Sequence, residues 1–250
     1  MYTKLDKKLV FKGEASALMY DLRNSTQITM LAEEANMLDV HVEFMLNLNK
    51  SILEFLESSS VTKEFSFNDT GDGCLVVCYD KNHPLTCFKI ALQIYQYLNI
   101  QLKSYLGTVQ GKLPIKEFNY GMAIHCGPCM IGDIYTTTRN ISKKVRSYIF
   151  GVVANSVARL ESFSKNYVHD NFLTTGGFRK ELIASFKDAD SQRMEKWTSM
   201  WERLENLGEV HLKDFKNDGH WVLSFTPDLI EEMLYFFELH RFSKFNKTGT

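Results

Sequence analysis

The chain has 250 residues, enough for one sizeable core, and 29 Lys and Arg balance 30 Asp and Glu to a formal net charge of −1. That balance gives no electrostatic footprint for nucleic acid or an anionic membrane surface. No apolar run reaches the roughly 20 residues of a bilayer span, the N-terminus lacks the apolar segment of a secretory signal, and five cysteines form no disulfide framework, so a cytoplasmic protein of one domain over 1–250 is expected.

Ala15 to Tyr20 (ASALMY) reads as a buried strand that ends on Asp21. Ser25 and Thr26 offer an N-cap to a helical region running to about Ser58, broken once near Met37–Asp39. Phe65 and Phe67 alternate in EFSFNDT, TGDG makes a tight turn and CLVVCY continues, which together read as a β-hairpin. From Leu85 to about Leu102 apolar residues recur at helical spacing. Between Phe118 and Ile134 two short apolar runs flank HCGPC and read as two strands with Gly127-Pro128 as their turn. Cys126 and Cys129 read there as small apolar side chains; the alternative is a thiol–disulfide pair, as Cys-x-x-Cys spacing allows. Val152 to Phe163 reads as a helix and NFLTT as a short strand. Phe178 to Leu207 is amphipathic and reads as helical, with Trp197 and Trp201 one turn apart. EVHLKDFKNDGHWVLSF reads as a hairpin, and a last helix runs from Asp228 to about His240. The sum is an α+β fold, with helices packed on a mainly antiparallel sheet.

Two carboxylates stand out. Asp21 closes the first strand and Asp72 sits in the first hairpin turn; if the two elements run side by side, both project from one edge of the sheet. Such a pair suits Mg²⁺ handling nucleotide phosphates, because Mg²⁺ takes few protein ligands and fills its shell with phosphate and water. Asn155 and Arg159, four apart in GVVANSVARLESF, share one helix face, while Val153, Val157 and Leu160 point to the core. An Asn and an Arg on an open face can hydrogen-bond and neutralise a reacting phosphate; the alternative is a solvated face. Lys213 stands inside a strand pattern, where a lone Lys usually marks the outer face.

In order and surroundings these segments resemble one family. LMYDLRNST is similar to the first metal motif of the class III nucleotidyl cyclases, the adenylate and guanylate cyclase catalytic domain. NDTGDGCLVV resembles that family's second metal hairpin, and YGMAIHCGPCMIGDI its Gly-Ile-His-x-Gly-Pro hairpin. GVVANSVARLESF resembles the helix whose Asn and Arg act on the transition state, and GEVHLKDFKNDGHWVLSF the C-terminal hairpin with the triphosphate Lys. The resemblance spans a core of about 15–225 and implies a ferredoxin-like (βαββαβ) centre. It implies that Asp21, Asp72 and the backbone carbonyl of Leu22 hold two divalent cations, Mg²⁺ or Mn²⁺. The amides of Asn24, Ser25 and Thr26 would cradle the β- and γ-phosphates at a helix start. Asn155 would orient the ribose, Arg159 would stabilise charge at the α-phosphate, and Lys213 would grip the triphosphate. The products would be a 3′,5′-cyclic nucleotide and pyrophosphate. In this family the metal residues and the Asn/Arg/Lys set meet across a head-to-tail dimer, so a homodimer would hold two equivalent sites.

The chain departs from the family at the base. Four residues before Asp72, where adenylate cyclases usually carry Lys and guanylate cyclases Glu, stands Asn68; three before Gly151, where Asp, Thr or Cys is usual, stands Tyr148. Asn68 offers a donor and an acceptor that suit a uracil or a cytosine edge, and Tyr148 adds bulk that would shrink a purine pocket toward one ring. The pattern is similar to the stand-alone bacterial pyrimidine cyclases of anti-phage signalling. It implies UTP or CTP as substrate and a separate effector that responds to the cyclic nucleotide. An atypical adenylate cyclase and a non-catalytic nucleotide-binding homologue are the alternatives.

Overall fold

A computed structural model describes residues 4–58, 62–138, 141–166, 172–186, 191–210 and 220–239. The first strand, β1 (Lys4–Leu22), is far longer than its apolar stretch. Helices α1 (Ser25–Glu34) and α2 (Leu38–Ser58) follow, the break falling at 35–37. The hairpin β2 (Phe65–Asp69) and β3 (Gly73–Cys78) leads into α3 (His83–Val109). Then come β4 (Tyr120–Thr138), β5 (Ile141–Phe150), α4 (Val152–Phe163), a 3-10 turn at Ser164–Asn166 and β6 (Phe172–Thr175). Helices α5 (Gly176–Ala184) and α6 (Ser191–Glu202), strands β7 (Glu205–Val210) and β8 (His220–Ser224), and α7 (Pro227–Phe236) complete the described chain.

The sheet order is β2-β3-β1-β4-β6-β8-β7, with β5 paired to the far half of β4. β1-α1/α2-β2-β3-α3-β4 arranged as β2-β3-β1-β4, with all neighbours antiparallel, is the ferredoxin-like unit expected. Only the β4–β6 pairing is parallel among the described strands. The result is a mainly antiparallel sheet with helices on both faces.

Alternation along β1 divides the core. Leu18, Tyr20 and Leu22 join the larger cluster with α2, α3, α6 and α7, whereas Ala15 and Ala17 face the smaller one with Val153, Val157 and Leu160 of α4. Alanines at 15, 17 and 123 give α4 a shallow surface to lie against, so burial rather than propensity holds it there. The aromatic end of the larger cluster is fixed by Trp197 and Trp201, both fully buried, with ring centroids 5.2 Å apart in a T-shaped pair.

Two expectations need correction. Gly127-Pro128 is not a turn: β4 runs straight through HCGPC, with Gly127 opposite Ala15 and Pro128 opposite Glu14 of β1. The missing N–H of Pro128 is tolerated because that stretch lies between the segments of β4 paired with β6 (Met122–Ile124) and with β5 (from Met130), so it has a ladder partner on one side only. The hairpin is instead β4–β5. Second, 178–207 is not one helix: α5 and α6 are separate, and residues 205–207 belong to β7, paired with β8. The last helix ends at Phe236; His240 lies outside the described residues.

Candidate active site

β1 and β3 pair with Asp21 opposite Gly73, which sets Asp21 beside the turn that carries Asp72. Gly73 is required at this point: a Cβ there would stand 2.1 Å from the Tyr20 carbonyl oxygen. The Leu22 N–H donates to the Asp72 carbonyl at 2.9 Å, and the Ser25 hydroxyl donates to Asp72 Oδ2 at 2.5 Å. The two carboxyl groups lie within hydrogen-bonding reach of each other, and burial followed by the Asp72 charge raises the Asp21 pKa. Two carboxylates held together on a strand end and a turn form the donor set a hard cation needs. Among the described residues no cluster of three or more His, Cys, Asp or Glu is placed to hold a metal, so a cation here would draw on these two carboxylates and on backbone, phosphate or water oxygens. The residues present fit a divalent ion bound together with a phosphate ligand.

Helix α1 opens directly beside the pair. Asn24 stands at its N-cap in the left-handed region (φ 56°), a conformation Asn tolerates well, and its side chain caps nothing. The first-turn amides that follow, at Ser25 and Thr26, therefore have no side-chain cap from Asn24 and form a potential anion cradle next to the carboxylates.

Asp21 shares the parity of Ala15 and Ala17 and so projects on the face covered by α4. The C-terminal end of α4 reaches it. Lys165 Nζ lies 3.8 Å from Asp21 Oδ2, half-exposed. Arg23 turns in beneath, with Nη1 2.8 Å from Glu161 Oε1 in an ion pair and Nη2 donating to the Glu161 carbonyl and the Ser164 hydroxyl. The guanidinium runs over Gly121, where a Cβ would sit 1.8 Å from Nη2. Burial raises the Glu161 pKa to about 6; Arg23 and Lys165 oppose the shift, and Asp21 adds to it. Arg23, Glu161 and Lys165 were not singled out in the sequence. The available signal was their setting, an Arg two residues after Asp21 and a Glu on the core side of an otherwise apolar stripe.

Asn155 is exposed and Arg159 half-buried, one turn apart on α4, while Val153, Val157 and Leu160 are fully buried. Asn155 stands six residues, about 9 Å of helix, before Glu161. Lys213 lies outside the described residues. β2 brings Asn68 against the backbone of β5 at Ser147, the residue before Tyr148. With its amide turned so that nitrogen donates, Asn68 bonds its own neighbour's carbonyl at Phe67 and the Ser147 carbonyl of β5, both at 3.1 Å. Tyr148 follows, partly exposed and stacked on Phe150 at 11° between ring planes. Behind them Asp133 is buried and accepts from the Ser147 hydroxyl at 2.7 Å.

The cysteines are structural. Cys126 and Cys129 are three apart in one extended strand, so they point to opposite faces and lie about 10 Å apart, beyond the span of a disulfide. Burial pushes their thiols up to about 12 and about 11, which leaves little thiolate at neutral pH.

Residues 7–14 of β1, 128–134 of β4 and β5 form an arm with unpartnered apolar surface. Leu9, Phe150 and Val152 are 59 %, 57 % and 54 % exposed, and two grooves of about 470 and 440 Å³ meet at Phe150. No described helix is long and apolar enough to cross a membrane.

This arrangement is the fold of the class III adenylyl and guanylyl cyclases. The adenylyl cyclase CyaB from P. aeruginosa is 15 % identical, with a TM-score of 0.55 over 90 % of this chain and 96 % of that one. The guanylyl cyclase Cya2 is 15 % identical, with a TM-score of 0.54 over 86 % and 91 %. A bacterial light-regulated adenylyl cyclase is 16 % identical, with a TM-score of 0.54 over 92 % of this chain and 58 % of its own length. No protein-family model and no curated protein sequence matches the chain.

Proposed function

We propose that the protein is a metal-dependent nucleotidyl cyclase that converts a pyrimidine nucleoside triphosphate to its 3′,5′-cyclic monophosphate and pyrophosphate. The observation that carries the reading is the contact of Asp21 with Asp72 beside the start of α1, on a cyclase fold. Asp21, Asp72 and the Leu22 carbonyl would hold two Mg²⁺ or Mn²⁺ ions. Bound there, the cations supply Lewis acidity that brings the ribose 3′-hydroxyl into reach of deprotonation.

The chain's own groups do the rest. The amides of Asn24, Ser25 and Thr26 receive the β- and γ-phosphates, and Lys213 adds charge to the same end. Asn155 orients the ribose so that its 3′-oxygen lies in line with the α-phosphorus, and Arg159 meets the charge that grows on the α-phosphate oxygens as pyrophosphate departs. The 3′-oxygen–phosphorus bond forms as the bond to the bridging oxygen breaks. Asn68, with its amide nitrogen on the Phe67 and Ser147 carbonyls, would read the base through its Oδ1 acceptor, and Tyr148, next to Ser147, would limit its size. The bulk of Tyr148 would shrink a purine pocket toward a single-ring base, which supports a pyrimidine over ATP or GTP. The product would serve as a second messenger in anti-phage defence, read by a separate effector.

The active form is a head-to-tail homodimer. Its support is the exposed apolar arm, and the outward face on which α4 presents Asn155. Asp21 and Asp72 of one subunit would then work with Asn155, Arg159 and Lys213 of the other.

Mixing the inactive variants Asp72→Ala and Arg159→Ala tests both activity and shared sites. Random exchange makes about half the dimers mixed, each with one intact site of two, so recovery to about a quarter of wild-type turnover is expected. No recovery after demonstrated subunit exchange would overturn the shared site.

A further inference from the structure

Asp72 owes its place to a residue on another element. Asn49, on the buried side of α2, is 3 % exposed and sits directly behind the β2–β3 turn. Its amide nitrogen donates to Asp69 Oδ1 at 2.8 Å, to the Gly71 carbonyl at 3.1 Å and to the Gly73 carbonyl at 3.2 Å. Its Oδ1 accepts from the Tyr20 hydroxyl. Asn49 therefore grips the turn on both sides of Asp72 and, through its other end, the residue that precedes Asp21.

The chemistry of the group matches this double grip. A carboxamide has two N–H donors on one atom and an acceptor on the other. The turn presents only acceptors to it and Tyr20 a donor, so three acceptors share two N–H groups and no polar atom of Asn49 lacks a partner. Aspartate would put a third carboxylate next to Asp69 with nothing to donate, and Ser could reach one side only. An Asn within an apolar helix stripe carries a desolvation cost, which these four bonds offset.

We infer that Asn49 is a positioning residue of the cation site, locking the distance and orientation between Asp21 and Asp72 through Tyr20 and the 69–73 turn. The inference rests on the reading of Asp21 and Asp72 as cation ligands. Groups that orient metal ligands from behind are worth about ten- to hundredfold in metal affinity or activity, and loosening the pair should cost that much here.

The test measures binding of Mn²⁺ alone, from the EPR signal of the free ion, together with kcat and KM on the triphosphate the wild type turns over. Asn49→Ala is expected to weaken Mn²⁺ binding ten- to hundredfold and to lower kcat similarly, with KM within about threefold. Leu48→Ala, a cavity on the same helix with no bond to the turn, is the control: it should lower the melting temperature while Mn²⁺ affinity stays within threefold. Tyr20→Phe removes one hydroxyl and keeps the core, and it should weaken Mn²⁺ binding severalfold if Asn49→Ala does not fold. Wild-type Mn²⁺ affinity in Asn49→Ala or, where that variant does not fold, in Tyr20→Phe overturns the inference, as does an equal loss in Leu48→Ala. Asp72→Ala separates the two claims: if it binds Mn²⁺ as the wild type does, the ligand assignment fails first and the inference falls with it.

Discussion

Arg23→Ala removes the cation that holds Glu161 in the interior. Glu161 is 3 % exposed, its carboxylate lies 2.8 Å from Arg23 Nη1, and Arg23 also bonds the Glu161 carbonyl and the Ser164 hydroxyl. Removing one partner of a buried ion pair leaves an uncompensated charge and costs about 3–5 kcal/mol. The pH dependence identifies the cause. In the folded protein the Glu161 pKa is raised from 4.5 to about 6, about 2 kcal/mol between the two protonation states. Because the folded value is the higher one, this contribution to stability is fully present below about pH 4.5 and is lost as pH rises through about 6. Arg23 is a force that lowers that pKa, so without it the folded value climbs further and the charged form becomes costlier. The variant should thus show its full deficit at pH 7–8 and a shrinking one as pH falls toward 5. Urea unfolding followed by fluorescence of Trp197 and Trp201, both buried in the core, reads it at fixed protein concentration. The double variant Arg23→Met/Glu161→Leu should recover most of the loss, since apolar side chains of similar size replace buried ion pairs well. A deficit below about 1 kcal/mol, or one equal at pH 5 and pH 8, would refute the role given to this pair.

Three further outcomes are expected. Asp21→Asn should abolish turnover yet raise the melting temperature of the metal-free protein at pH 7–8, because burial and Asp72 both disfavour the Asp21 charge; a lower melting temperature would contradict the like-charge pair. Gly73→Ala should disrupt the Asp21–Asp72 pair and remove activity, since its Cβ meets backbone at 2.1 Å that cannot swing away; near wild-type turnover would show that the β1–β3 register tolerates opening. Tyr148→Ala should lower pyrimidine turnover and narrow the preference over ATP, measured as kcat/KM ratios, because the bulk proposed to limit ring size is gone; an unchanged ratio would remove Tyr148 from base selection.

The residues that carry local signals were legible in the sequence. The apolar end of β1, the helix break, the Asp72 turn and the apolar stripe of α4 follow from patterns a few residues wide, and the structure has them. What escaped depends on partners far along the chain. The first strand reads from Ala15 on local grounds, yet residues 4–14 are strand as well, because β4 pairs with them on both sides of a bulge at Val10. Gly-Pro reads as a turn on local grounds, and the same ladder overrides it at 127–128. Asn49 carries no local signal within its helix; its meaning comes from a turn more than 20 positions away. The bond from Asn68 to the Ser147 carbonyl likewise comes from the arm, which brings β5 back to β2.

The central claim is the cyclisation of a nucleoside triphosphate. Purified protein incubated with Mn²⁺ and each of the four nucleoside triphosphates, with products identified by mass, tests it in one measurement. A 3′,5′-cyclic pyrimidine nucleotide formed with equimolar pyrophosphate, faster than cyclic AMP or cyclic GMP and absent in Asp72→Ala, is the expected result. A faster cyclic purine product would overturn the base assignment alone. No cyclic product from any of the four, in protein shown to be dimeric, would contradict the claim itself.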